Sequence, residues 1–231
     1  VVRNTVSFYM RILRAVYSRA VEEGLVEQRH PFRRVYTGVG RTAKRAIPLS
    51  AIRRLSQLDL TGSPVHAYAR DMFMFSFYTR GMSFVDLAFL RKSNLERGVL
   101  SYRRRKTGQL LAIKWERHMQ EIVDRYSRDS SGYLLPVIDP SRGNERRQYM
   151  SALFLVNRKL KELGREMSLG VPLTMYVARH SWASVAREQR VPLSVISEGM
   201  GHESETTTRI YLASRDTSVV DNANAMILGL L

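Results

Sequence analysis

Residues 65–79, VHAYARDMFMFSFYT, place Tyr68, Met72 and Phe75 on one three-four stripe, and Phe73 and Phe77 widen it. So many large apolar side chains cannot all face water, and a helix this rich all round belongs at the centre of a core. The chain has 231 residues, 44% of them hydrophobic, which is enough for one large core or for a domain with a small appendage.

The elements around that helix are legible from spacing. Residues 4–24 read as an amphipathic helix through Tyr9, Ile12, Leu13, Val16, Tyr17 and Ala20, with Gly24 where a C′ residue belongs. Such a helix cannot bury its face alone, so it reads as the last helix of a bundle. Pro31 breaks the pattern. Residues 33–47 carry Arg33, Arg34, Arg41, Lys44 and Arg45 with two glycines and little periodicity, the composition of a basic linker. A second domain opens at Leu49-Ser50, with Ser50 as N-cap of a short helix ending near Leu58. After the central helix, Arg80-Gly81-Met82-Ser83 interrupts the pattern and FVDLAFL resumes it. Residues 97–115 alternate as a hairpin, with Thr107-Gly108 as its turn and Arg103, Arg104, Arg105 and Lys106 leading into the tip. Helices are predicted over 116–128, over 145–163 closed by Gly164, and over 174–188 with Thr174 as N-cap. Pro192 suits the first turn of the next helix, and Gly199 and Gly201 flank the turn presenting His202. A last helix over 216–231 has a small apolar face of Val219, Val220, Ala223, Met226 and Ile227.

The formal charge of +16 calls for a polyanionic partner. Nucleic acid is the first choice and an anionic membrane the second, but no apolar run of about 18 residues is present to cross one. With no cysteine there is neither a disulfide framework nor a thiolate metal site, and the five histidines are scattered, so no metal and no cofactor are expected. The chain begins Val-Val, which suggests that an N-terminal part precedes it.

The chemistry gathers near the end, in Arg179-His180-Ser181-Trp182, Gly201-His202-Glu203 and Arg209-Ile210-Tyr211. A planar guanidinium suits an anionic centre, a histidine can donate to the same anion, and a tyrosine can act as a covalent nucleophile. Taken singly these residues carry little, because the chain has 11 Tyr and 37 Lys+Arg. Only the ordered set points to phosphoryl transfer with a phenol attacking.

That set resembles the tyrosine recombinase (phage integrase) family. Residues 173–214, LTMYVARHSWASVAREQRVPLSVISEGMGHESETTTRIYLAS, are similar to its C-terminal active-site block. The departures resemble those of integrases of conjugative transposons and related mobile elements. The resemblance implies a mainly α fold with a small antiparallel β-sheet. Residues 1–35 would end a helical core-binding domain, 36–48 form a basic linker and 49–231 the catalytic domain. It implies site-specific recombination of double-stranded DNA through a 3′-phosphotyrosyl bond, with Tyr211 as nucleophile and Arg179 and His202 on the phosphate oxygens. Lys106, beside the hairpin turn, would protonate the leaving 5′ oxygen, a task its titratable ammonium suits better than an arginine. Arg41, Lys44, Arg45, Arg103, Arg104 and Arg105 would contact DNA.

Two positions depart from the family's pattern. Ser83 stands where its first catalytic arginine is usual, and Arg80 can supply the guanidinium if the backbone there is helical, since i and i+3 share a face. Tyr176 stands where a histidine is common; it can donate to a phosphate oxygen but cannot be a base near neutral pH. The resemblance further implies a homo-tetramer on DNA that exchanges its C-terminal helix, accessory DNA-bending proteins, no membrane, and a bacterial cytoplasmic, nucleoid-associated location. Rival readings are a type IB topoisomerase and a DNA-binding module whose active site has decayed.

Overall fold

Pro64 supplies a preset φ and lacks the amide proton that a first helical turn leaves unpaired, so helix α3 (Pro64–Tyr78) begins there. In the computed structural model, which describes residues 3–38, 45–126 and 132–202, Met72, Phe73, Met74 and Phe75 of α3 are buried on all sides. Helices α2 (Leu49–Ser56), α5 (Arg117–Tyr126), α6 (Glu145–Glu166) and α7 (Met175–Glu188) pack against it. The chain divides into two compact units, Val1–Ala43 and Lys44–Leu231.

In the first unit, helix α1 (Arg3–Glu22) buries only Ser7, whose hydroxyl donates to Gly38 O at 2.5 Å. Its Tyr9, Ile12, Leu13 and Val16 are exposed. Gly24 follows the helix in a left-handed conformation, as a C′ residue does.

In the second unit, Pro48 rather than Ser50 holds the N-cap position of α2, and its carbonyl accepts from Ala51 N and Ile52 N. The helix stops at Ser56, short of Leu58. Helix α4 (Phe84–Ala88) follows the interruption after α3. The sheet has antiparallel order β1-β2-β3, with β1 (Leu95–Glu96), β2 (Val99–Arg103) and β3 (Leu110–Lys114). The hairpin is the expected one, in register Leu100↔Ile113 and Tyr102↔Leu111, while β1 adds a strand whose two residues are too few for a pattern. Leu100, Tyr102, Leu111 and Ile113 face the core, and Trp115 meets Phe75 with ring centroids 6.0 Å apart.

Residues 133–138, irregular in sequence, form a buried crossing tied in by Leu134 N to Leu90 O at 2.8 Å. Gly164 does not close α6 but lies inside it, because a Cβ there would sit 3.0 Å from Leu173 Cβ. Pro192 precedes α8 (Leu193–Gly199) at its N-cap position, and Ile196 and Met200 pack with Ala183 and Trp182 of α7. Among the described residues no helix is long and apolar enough to cross a membrane.

Candidate active site

Helix α7 turns Met175, Val177, Ala178, Ser181 and Ala183 inward, and Arg179 lies on the same buried side at 5% exposure. A guanidinium so far from water needs acceptors. Arg179 Nη1 donates to Gly81 O at 2.8 Å, and Nη2 lies 2.7 Å from Met200 O and 2.8 Å from His202 Nε2. One side chain therefore joins the turn after α3 to the turn after α8. Gly81 makes this approach possible: it is left-handed (φ 73°), and a Cβ on it would lie 2.6 Å from Arg179 Cα. Ser181 Oγ fixes the same helix to the domain's start by accepting from Ile47 N at 2.9 Å.

His202 follows the left-handed Gly201, and its amide donates to Ser197 O at 3.0 Å. Arg179 can only donate, so Nε2 of His202 accepts and the ring is neutral with its proton on Nδ1. Burial first, then the charges of Arg179, Arg104 and Lys106, push its pKa down to about 4. His180 is held at about 4 as well, by burial and by Arg45 and Arg179. It lies edge-on to Tyr176, centroids 4.5 Å apart, and Tyr176 itself is 44% exposed with Arg45 5.7 Å above its ring.

Arg80 does not lie on a helix. Helix α3 ends at Tyr78, and Arg80 and Gly81 both adopt positive φ, so the i,i+3 relation to Ser83 does not hold. The turn is closed by Gly81 N and Met82 N, both reaching Ser76 O. The Arg80 side chain nevertheless runs toward the site: its Cδ would lie 3.6 Å from a Cβ on Gly199. Burial pushes the Tyr102 phenol well up, and Asp86 adds to this, while Arg179, Arg104 and Arg80 act in the opposite direction. Three guanidiniums thus lie within electrostatic reach of one buried ring. Ser83 is a helix cap. Its Oγ accepts from Asp86 N, as an N-cap serine does, and its hydroxyl donates to Asp86 Oδ2 at 2.6 Å.

At the hairpin tip Arg103, Arg105 and Lys106 are exposed. Arg103 Nη1 donates to Gly108 O at 2.5 Å, and the Arg105 guanidinium lies 3.8 Å from the Phe89 ring centre. Arg104, expected among the outward cations, is instead buried and donates from Nη1 to Gly201 O. The strand period carries the signal: Leu100 and Tyr102 face inward, and a further step of two reaches Arg104. Asp86, which the sequence reading gives no role, accepts from Arg105 N at 2.9 Å through Oδ1. Arg41, Lys44, Tyr211 and the 216–231 helix lie outside the described residues. Among the described residues no group of His, Cys, Asp or Glu could hold a metal ion.

A model of the phage integrase family matches residues 47–218. The tyrosine recombinase XerA of Pyrococcus furiosus is 29% identical over 157 residues, which cover 64% of this chain and 52% of that protein. The chain thus spans about half the length of the curated relatives it matches. Among solved structures, the Tn1549 transposon integrase (residues 82–397) with circular intermediate DNA superposes with a TM-score of 0.69 at 16% identity, covering 98% of this chain and 79% of that one. The lambda integrase tetramer on a Holliday junction superposes with a TM-score of 0.62 at 18% identity, covering 86% and 56%. These likenesses carry the fold: mainly helical, with a three-stranded antiparallel sheet. With the family model spanning both the Arg179 helix and the hairpin, the chain belongs to the phage integrase family.

Proposed function

We propose that the protein recombines double-stranded DNA at specific sites by cutting and rejoining strands through a 3′-phosphotyrosyl intermediate. The Arg179–His202 contact carries this reading, because it puts a buried guanidinium and a neutral imidazole at one point, beside a hairpin tip of exposed cations. Tyr211 Oη attacks the scissile phosphorus and loses its proton to water. The bond from phosphorus to the 5′ oxygen breaks, and Lys106 gives that oxygen a proton. Arg179, His202 and Arg80 stabilise the charge on the non-bridging oxygens, where preorganised donors act with little reorganisation. Tyr176 orients the phosphate. The phosphotyrosyl bond conserves the energy of the cut bond, so rejoining needs neither ATP nor metal. Arg41, Lys44, Arg45, Arg103 and Arg105 line the DNA backbone. Four protomers exchanging C-terminal helices, helped by DNA-bending proteins, would join two duplexes in a bacterial cytoplasm.

The test uses nicked half-site duplexes with one randomised arm, labelled on the strand that stays attached, from which covalent adducts are recovered on denaturing gels. Wild-type protein should yield an adduct mapping to the Tyr211 peptide, and Tyr211→Phe should yield none. Tyr176→Phe should lower the rate and leave a detectable adduct. Absence of any adduct would leave a DNA-binding module, and an adduct without strand exchange between two sites would leave a topoisomerase.

A further inference from the structure

The hairpin tip and the His202 turn are joined by a buried cation to which the chemistry above gives no direct part. Arg104 is 7% exposed, and a guanidinium withdrawn so far from water persists only where acceptors offset its desolvation. Its Nη1 donates to Gly201 O, the carbonyl next to His202. Its backbone closes the tip, with Arg104 N to Gln109 O and Gly108 N to Arg104 O both at 2.8 Å. Gly201 is left-handed, and a Cβ on it would lie 3.2 Å from Arg104 Cδ and 3.0 Å from Leu111 Cδ1, so the two turns meet closely. From the other side, Asp86 accepts from Arg105 N and holds the Ser83 hydroxyl. Lys106 is therefore the first residue beyond a backbone pinned from both directions.

We propose that Arg104 is a positioning residue: through its bond to Gly201 it sets the Lys106 turn in register with the His202 turn, so that proton donor and phosphate-binding cations meet one scissile phosphate. This inference rests on the reading of Lys106 as the group that protonates the 5′ oxygen. A lysine has a long flexible stem, so its delivery depends on where its backbone is held. A displacement of about 1 Å suffices to lose on the order of 10² in rate. Arg179 keeps its bond to Gly81 O, on a turn that Arg104 does not touch, so loss of Arg104 should weaken proton delivery more than phosphate binding.

The test replaces the scissile 5′ oxygen by sulfur in the nicked half-site recovered above. The phosphorus–sulfur bond then breaks to release a thiolate, whose conjugate acid has a pKa of about 8.5, and no proton donor is required. Arg104→Met should slow cleavage of the oxygen substrate by about 10² and regain most of that loss on the sulfur substrate. Arg104→Lys, which can still reach a carbonyl, should fall between this variant and wild type. His202→Ala should stay slow on both substrates. Equal losses of Arg104→Met on oxygen and sulfur, or no loss at all, would overturn the proposal. If Arg104→Met shows no cooperative urea transition, the comparison passes to Arg104→Lys: a sulfur-to-oxygen rate ratio above wild type supports the role, and a wild-type ratio overturns it. Lys106→Ala separates the two layers. Its rescue by sulfur with no rescue of the Arg104 variants removes only the positioning role, whereas failure of sulfur to rescue Lys106→Ala removes the general-acid reading beneath it.

Discussion

Gly81 and Gly108 have nearly the same backbone conformation, φ 73° and 71°, in opposite surroundings. A Cβ on Gly81 would strike the backbone of α7 at Arg179, while one on Gly108 would meet nothing within 4 Å. The difference extends to the cations nearby. Around Gly81 a buried arginine binds carbonyls of two separate turns; around Gly108, Arg103, Arg105 and Lys106 stand in solvent. The first region is fixed by packing before any ligand arrives, which is what a site for developing charge requires. The second keeps its charges available to an external polyanion.

Substituting the two glycines gives the sharpest way to break this contrast. Gly81→Ala combines a left-handed alanine, about 1 kcal/mol, with overpacking against a helix backbone, so a loss of about 3 kcal/mol is expected. Gly108→Ala meets only the conformational term, about 1 kcal/mol. Urea denaturation of both variants checks this, and equal losses would mean that the turn against α7 is as loose as the tip.

Acid sharpens the same contrast. The imidazoles of His180 and His202 bind a proton less readily folded than unfolded, so they stabilise the fold fully above about pH 6.5. That stability is lost as pH falls through the window from 6.5 to about 4, because the unfolded chain takes up the protons first. The urea midpoint should drop between about pH 7 and pH 4.5, and His180→Gln should drop less. A variant with the wild-type slope would show that His180 is not held neutral by its surroundings.

The smallest effect belongs to the tip. Arg103→Ala should leave stability nearly unchanged and reduce the log–log salt slope of DNA binding by about one. An unchanged slope in a titration would show that the exposed tip does not meet phosphate.

What the sequence made legible was local. The apolar stripe of α3 and the alternation of β2 and β3 depend on neighbours a few residues apart, and these elements stand where their patterns put them. Gly164 looks like a stop signal until Leu173 comes to pack on it. The Arg80 turn has the same origin: Gly81 was readable as a breaker, but its left-handed approach to Arg179 depends on a helix far along the chain. Ser83 stands where the family's first catalytic arginine is usual, and what it does in this chain became visible only in the fold: it caps α4 through Asp86.

The bonds that assemble the charged centre also set when it can exist. Gly81 to Arg179 spans 98 residues, Arg104 to Gly201 spans 97, and Ile47 to Ser181 spans 134. Loop closure of this length must be achieved before the contacts it permits can stabilise anything, so such pairings form late. During synthesis from the N-terminus, the hairpin and its cations leave the ribosome well before their partners on α7 and the His202 turn. A nascent chain therefore carries its basic hairpin before the buried Arg179–His202 contact can form, and under the function proposed above its cutting competence would await the last part of the domain.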